Sequence, residues 1–330
     1  MRILFSSQPK ADHFAQPYIS GLRSHGVVVD TLITTSRSEI EGKLLDGGPY
    51  DVLWLEWANH TNKALLSQGK FPTFTMVRIH DYEVRTRLVD AFPWGNVDLA
   101  WFINPDSKRD CGELPCRTIL LNNAIDLAQF EYQPTLFKPR HTLLMQSCYA
   151  QSRKRYDRAF ELLSLLPEYR LRIRVDFLNA AEEQAFMLGA DRAGVANRVV
   201  HEWRSARHID FNRKDDVNAF YQKGRFVLST SEHEAFHYAI AEGIACGCIP
   251  VVYNWEWGYA EYFWSPFVYR TLEAMAKFIR DMSAYWNWKG QSGYKGGAIS
   301  QWPLKVDPYP YLQRNFSAYE LARQLLIYLS

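Results

Sequence analysis

An α/β fold of two doubly wound, parallel-sheet domains is predicted by three features of the 330-residue sequence. Short apolar runs alternate with amphipathic segments, and a parallel sheet covered on both faces by helices is the arrangement that buries both. The alternation runs twice, once on either side of a proline-interrupted stretch. The amphipathic segments are long enough to be crossovers between parallel strands.

Taken in order, Ile3 to Phe5 reads as a first strand rather than a leader peptide. A polar loop from Ser6 to Gln16 and a helix carrying Tyr18, Ile19 and Leu22 follow, then a strand from Val27 to Ile33. Ser36 to Leu45 is helical, Asp51 to Leu55 strand, Thr61 to Leu66 helical and Thr73 to Ile79 strand. His80 falls at the end of that strand, where parallel sheets gather their ligands. Strands at Val97 to Ile103 and Arg117 to Leu121 complete the first series, and residues 132 to 141, with two prolines, read as a linker. The second series has a strand at Thr142 to Met145, a helix at Lys154 to Leu166, a strand at Leu171 to Phe177, a helix at Asp215 to Gln222 and a strand at Arg225 to Leu228. After residue 280 the pattern degrades. Tyr285 to Gly297 reads as a glycine-punctuated aromatic loop, suited to a domain seam or to stacking on sugars. A last helix, Ala318 to Leu329, carries an apolar stripe of Leu321, Leu325 and Leu329 that must dock on something.

The most informative stretch is residues 228 to 253. Thr230 and Ser231 are placed to cap a helix running from about Glu234 to Cys246, closed by Gly247 and followed by a buried strand through Val251 and Val252. Glu234 and Glu242 would then lie about 12 Å apart along the helix axis. That is too far for a carboxylate pair flanking one glycosidic bond. It suits two hydroxyl-bearing ends of an extended ligand whose anionic middle rests on the helix N-terminus, the shape of a nucleoside diphosphate sugar. Arg153 and Lys154 sit at the start of another helix, where a cation needs a compensating anion or open solvent.

Composition narrows the classes. A hydrophobic content of 47% excludes a disordered chain, and a net charge of +2 argues against nucleic-acid binding. Five cysteines, Cys111, Cys116, Cys148, Cys246 and Cys248, lack CxxC spacing and paired histidines, and read as reduced, buried thiols of a cytosolic protein. No run of about 20 apolar residues exists to span a membrane.

Glu234 with Glu242, in Ser231-Glu-His-Glu-Ala-Phe-His237 and Glu242-Gly-Ile-Ala-Cys-Gly-Cys-Ile-Pro-Val-Val252, resembles the E-x7-E signature of retaining family-four glycosyltransferases. Ser152-Arg153-Lys154 is similar to the family's phosphate-binding segment, Val77 to Glu83 to its strand-end histidine, and Leu120 to Phe130 to the run closing its first domain. The resemblance implies the GT-B architecture, two Rossmann-like domains facing a cleft: an acceptor-side domain over 1–138, a nucleotide-sugar domain over 139–312, and a helix over 313–330 crossing back. It implies donor-sugar contacts from Glu234, and phosphate contacts from Arg153, Lys154 and the backbone of Ala235, Phe236 and His237. It further implies ribose contacts from Glu242, and catalytic roles for His80 and Glu234. The family needs no metal, and the sequence has no Asp-x-Asp triplet to hold one. Cys148 and Tyr149 stand where the family usually has an arginine, and Ala235 and His237 where it often has glycines.

The function the resemblance implies is metal-independent, retaining hexosyl transfer in polysaccharide or glycoconjugate synthesis. The donor would be a UDP- or GDP-sugar and the acceptor a saccharide or glycolipid, lipid-linked acceptors bringing the protein to the inner membrane face. An epimerase on a related fold and a sugar-nucleotide-binding protein with a weakened site are the competing readings.

Overall fold

The computed structural model describes residues 1–133, 138–149, 152–177, 179–203, 214–256, 260–291 and 308–330. The chain divides into two compact units, Met1–Leu127 with Gln313–Ser330, and Ala128–Leu312. The second unit begins before the expected boundary at residue 138. Its first residues are already bonded within it: Glu131 N–H donates to Asn218 Oδ1 (2.9 Å), Gln222 Nε2 to the Glu131 carbonyl (3.0 Å) and Gln133 N–H to the Cys246 carbonyl (3.3 Å). Residues 134–137 of the expected linker lie outside the described residues.

The first unit runs β1 (Arg2–Ser7), α1 (Gln16–Ser24), β2 (Val28–Ile33), α2 (Arg37–Asp46), β3 (Val52–Glu56), α3 (His60–Ser67), β4 (Phe74–Ile79), α4 (Asp81–Arg85), β5 (Leu99–Phe102), α5 (Pro105–Cys111) and β6 (Arg117–Leu120). Its six strands are parallel in the order β2-β1-β3-β4-β5-β6. Alternation along the strands loads both faces: Trp54 packs with Phe5, Met76 and Trp101 on one, Leu53 and Leu55 with Val77 and Phe102 on the other.

The second unit contains β7 (Thr142–Tyr149), α6 (Tyr156–Ser164), β8 (Arg170–Asp176), α7 (Ala180–Arg192), β9 (Val199–Trp203), α8 (Lys214–Tyr221), β10 (Phe226–Ser229), α9 (Tyr238–Ala245), β11 (Ile249–Tyr253), α10 (Ala260–Trp264), β12 (Val268–Tyr269) and α11 (Leu272–Gln291). The parallel order is β12-β11-β10-β7-β8-β9. α7 and β9 fill a stretch for which the sequence pattern predicts no element. α11 extends through Gln291, so the first part of the expected aromatic loop is helical, and residues 292–297 lie outside the described set. Cys246 and Cys248 are buried free thiols, whereas Cys111 and Cys116 are only half-buried.

The chain re-enters the first unit within α12 (Pro308–Phe316) and ends in α13 (Ala318–Leu329). Leu321, Ala322 and Leu325 of α13 pack on Tyr18, Ile19 and Leu22 of α1, which is where the C-terminal apolar stripe docks. Backbone bonds between Ile125 and residues 316 and 318 pin its start (2.8 Å each). The two helices meet at Gly21, where a Cβ would stand 2.1 Å from the Ala318 carbonyl oxygen. Gly247 has a similar task in the second unit, with φ of +83° and the Gln133 carbonyl 2.1 Å from where a Cβ would be.

Helix propensity alone favours Gly21→Ala by about 1 kcal/mol. The contact with α13 predicts the opposite, a loss of roughly 1–3 kcal/mol from overpacking. Urea unfolding of the variant decides between them, and a stabilised variant refutes the close helix pairing.

Candidate functional site

In the second unit the strand order reverses between β7 and β10: the chain moves from β7 outward through β8 and β9, then returns to the other side of β7. The segments leaving the carboxyl ends of these two strands meet there, at the usual ligand position of such sheets. From the β7 side come Arg153 and Lys154, on a single turn (Ser152–Lys154) that precedes α6. From the β10 side comes Glu234.

Glu234 does not lie on a helix. Residues 230–237 form an irregular loop and α9 starts only at Tyr238, so the expected helical spacing of Glu234 and Glu242 does not hold. The expected caps are otherwise engaged: Thr230 Oγ1 donates to the Lys154 carbonyl (3.0 Å) and Ser231 Oγ to Glu234 Oε1 (2.8 Å). His237, the residue before the helix, has a left-handed backbone (φ +67°), which interrupts helical geometry at that point.

The loop carries Glu234 into a cationic setting. Its Oε1 accepts from Lys154 Nζ, and its Oε2 from Arg153 Nη1 at 3.0 Å; Arg153 also donates to the His233 carbonyl (3.0 Å). Glu234 and Lys154 are buried, 6% and 8% exposed. Burial by itself pushes the Glu234 carboxyl up, but Lys154, the His237 imidazole and Arg153 outweigh it and hold the group well below the usual carboxylate range. The anion that Arg153 and Lys154 require at the start of α6 is thus supplied by the protein itself. Breaking such a buried pair by deleting one partner typically costs about 3–5 kcal/mol.

The other expected site residues of the second unit take different positions. Glu242, on α9, is not part of it: its Oε2 accepts from Gln146 Nε2 on β7 (2.9 Å) and from the Tyr221 hydroxyl (3.1 Å). Phe236 is buried against Tyr238, Phe263 and Trp264, with its carbonyl accepting from Trp264 Nε1 (3.2 Å), and so anchors the loop. Ala235 beside it is partly exposed. The side chains of Cys148 and Tyr149 lie outside the described set.

His80 belongs to the first unit, at the carboxyl end of β4 and the start of α4. Its Nε2 pairs with Glu56 Oε1 (2.8 Å), its ring stacks on Trp57 (3.8 Å between centroids), and its backbone N–H donates to Glu83 (2.9 Å). Glu56 is fully buried and is also bound by Arg78 Nη1 (3.0 Å) and Trp54 Nε1 (3.0 Å). Arg78, equally buried, lies over Trp101 (4.6 Å) and reaches Asn123. Sequence reasoning overlooked this network, although a glutamate closing Val-Leu-Trp-Leu-Glu and an arginine inside Met-Val-Arg-Ile are the signals that mark it. Burial lowers His80 to about 4 and His237 to about 3 despite neighbouring carboxylates, so both imidazoles are neutral at pH 7. Among the described residues there is no cluster of three or more His, Cys, Asp or Glu side chains able to hold a metal.

These two histidines set an acid limit. Unfolded, they bind protons near pH 6.5; folded, only near pH 4 and 3. The unfolded chain therefore binds more protons between those values, and stability present above pH 6.5 is lost as pH falls, by up to a few kcal/mol per group. Urea midpoints measured from pH 7.5 to 4 will decline, and less steeply in His80→Gln or His237→Asn; an unchanged slope in both variants rejects buried neutral imidazoles.

No family model matches the sequence, and no curated protein matches it. Solved structures do. HepE of Anabaena, solved in complex with UDP and glucose, is 15% identical over 100% of this chain and 99% of its own, with a TM-score of 0.65. Sucrose-phosphate synthase of Thermosynechococcus elongatus is 12% identical, covering 99% and 98% of the two chains, with a TM-score of 0.72. A glycosyltransferase of Rickettsia africae is 11% identical over 99% and 97%, with a TM-score of 0.66. At these identities the likeness concerns the fold, which is that of the GT-B glycosyltransferases.

Proposed function

We propose that the protein is a retaining, metal-independent glycosyltransferase that moves a hexose from a nucleoside diphosphate sugar to a saccharide or lipid-linked acceptor. The observation that carries this reading is the meeting of Arg153, Lys154 and Glu234 at the strand-order reversal of the second unit, just ahead of α9. Two cations and a helix N-terminus suit a diphosphate. A carboxylate held ionised among them suits the hydroxyls of a sugar. The fold shared with HepE, whose structure holds UDP and glucose, supports the same reading and makes uridine the first base to test.

In this proposal the diphosphate lies against Lys154 and Arg153, which neutralise the charge that develops as the bond between the sugar and the phosphate breaks. Preorganised charges in a dry site need no rearrangement at that moment, so their effect on the barrier is large. Glu234 accepts hydrogen bonds from the transferred sugar, and Glu242, steadied by Gln146 and Tyr221, accepts them from the ribose. The backbone of Ala235, Phe236 and His237 faces the phosphates. The acceptor hydroxyl attacks on the face from which the diphosphate leaves, and its proton passes to the departing phosphate oxygen. His80, at the carboxyl end of β4 in the first unit, carries a neutral imidazole whose tautomer Glu56 fixes, a group that would not repel the cationic character of a glycosyl transition state. No metal has a part in these steps, because the charges on the diphosphate are met by side chains.

The test is transfer from UDP-glucose and related donors by Glu234→Gln and Lys154→Met proteins, checked for native circular dichroism. Each is expected to lose roughly a hundredfold or more in kcat. Glu242→Gln is expected to raise KM for the donor with a smaller effect on kcat. Wild-type turnover by both Glu234→Gln and Lys154→Met variants sinks the assignment.

A further inference from the structure

His237 combines two costs in one residue. Its backbone is left-handed (φ +67°), a conformation a glycine would adopt without strain. Its imidazole is only 6% exposed, and Nε2 is buried with no hydrogen-bond partner among the described residues. Glu234 Oε1, at 3.6 Å, is beyond hydrogen-bonding distance and already accepts from Lys154 and Ser231. The ring lies roughly parallel to Trp255, with 6.2 Å between centroids. An orphaned buried nitrogen in a strained residue is a feature that natural chains keep where a partner arrives later.

We propose that His237 is a proton-taking element of the anion site: a diphosphate entering beside Arg153 and Lys154 draws a proton from solvent onto His237 Nε2, making it a third cation. This rests on the reading of the site as a nucleoside diphosphate pocket and adds to it a coupling between ligand binding and protonation. The charged groups facing the imidazole are Glu234 from its own loop, and Lys154 and Arg153 from the turn before α6. With His237 neutral they sum to one net positive charge. Under those conditions burial and the two cations keep the proton off. A diphosphate brings at least two negative charges, reverses the sign of the local field and supplies an acceptor for the new N–H. The step is a simple proton uptake, imidazole plus one solvent proton giving imidazolium, with no bond broken elsewhere.

Calorimetry of UDP and of inorganic pyrophosphate binding, in buffers of different ionisation enthalpy at pH 7, measures the proton directly. The comparison is wild type against His237→Asn, which tolerates the same backbone, and His237→Gly, which removes the strain. Titration of the ligand's own phosphate is common to all three proteins and cancels. Wild type is expected to take up as much as about one more proton per ligand than either variant. Both variants should bind about tenfold more weakly, while His237→Gly unfolds at a higher urea concentration than wild type. Equal proton uptake in all three proteins overturns the proposal, as does unchanged affinity in both variants. Tight UDP binding without any buffer dependence removes the proton coupling and leaves the glycosyltransferase reading standing. His237-dependent uptake with pyrophosphate, together with no preference for UDP, keeps the proton coupling and removes the nucleotide-sugar reading. Absence of binding by either ligand to the folded wild type rejects both.

Discussion

The ion pair of Glu234 with Lys154, completed by Arg153 and Ser231, is the interaction on which the second unit's site depends. A carboxylate and an ammonium taken out of water each cost several kcal/mol, and only good geometry with satisfied hydrogen bonds offsets that. The geometry comes from the sheet. β7 and β10 are neighbours because the chain returns to the other side of β7 after β9, and the segments leaving their carboxyl ends have nowhere to go but toward each other. The loop from Thr230 to His237 cannot wind into α9 early, because the Thr230 hydroxyl and the Glu234 carboxylate are committed to the turn before α6 and the Ser231 hydroxyl to Glu234. One electrostatic constraint therefore fixes the loop conformation, the start of the helix and the placement of the cations.

The first unit shows the same economy in a different chemistry. Arg78 and Glu56 are buried at the ends of β4 and β3, and their mutual neutralisation leaves His80 facing a carboxylate whose charge is already matched. Burial then dominates, and the imidazole stays neutral where an unscreened glutamate would have favoured the imidazolium. Trp57, with a left-handed backbone of its own (φ +78°), stacks on the ring and is held through its indole N–H by the Ala11 carbonyl (2.6 Å). In the first unit the strained Trp57 sits beside a buried neutral histidine, and in the second the strained residue, His237, is itself that histidine.

How much of this was legible in the sequence follows from the range of the forces involved. The strands and most helices of the first unit are plain in the periodicity, because burial on both faces of a parallel sheet demands continuous apolar runs. The helix over 180–192 was missed because only Phe186 and Ala190 of it are buried, which leaves little apolar stripe to recognise. The start of α9 was misplaced because Thr230, Ser231 and Glu234 make a good local cap on paper, and nothing local reveals that Lys154, 80 residues earlier in the chain, claims that carboxylate. The buried Arg78–Glu56 network escaped notice for the same reason, since each residue alone looks like a polar strand end.

The amino-acid sequence by itself determined the fold class, the two-unit plan and the candidate residues Arg153, Lys154, Glu234, Glu242 and His80, through periodicity, turn chemistry and a motif resemblance. Tertiary structure alone decided which of them meet. Lys154 and Arg153 bind Glu234, Glu242 goes instead to Gln146 and Tyr221, and His237 takes the strained position between loop and helix. Pairing of this kind is set by the order of strands in the sheet and by the cost of leaving a charge unpaired in low dielectric. Both depend on contacts far apart in the chain, which no local pattern encodes.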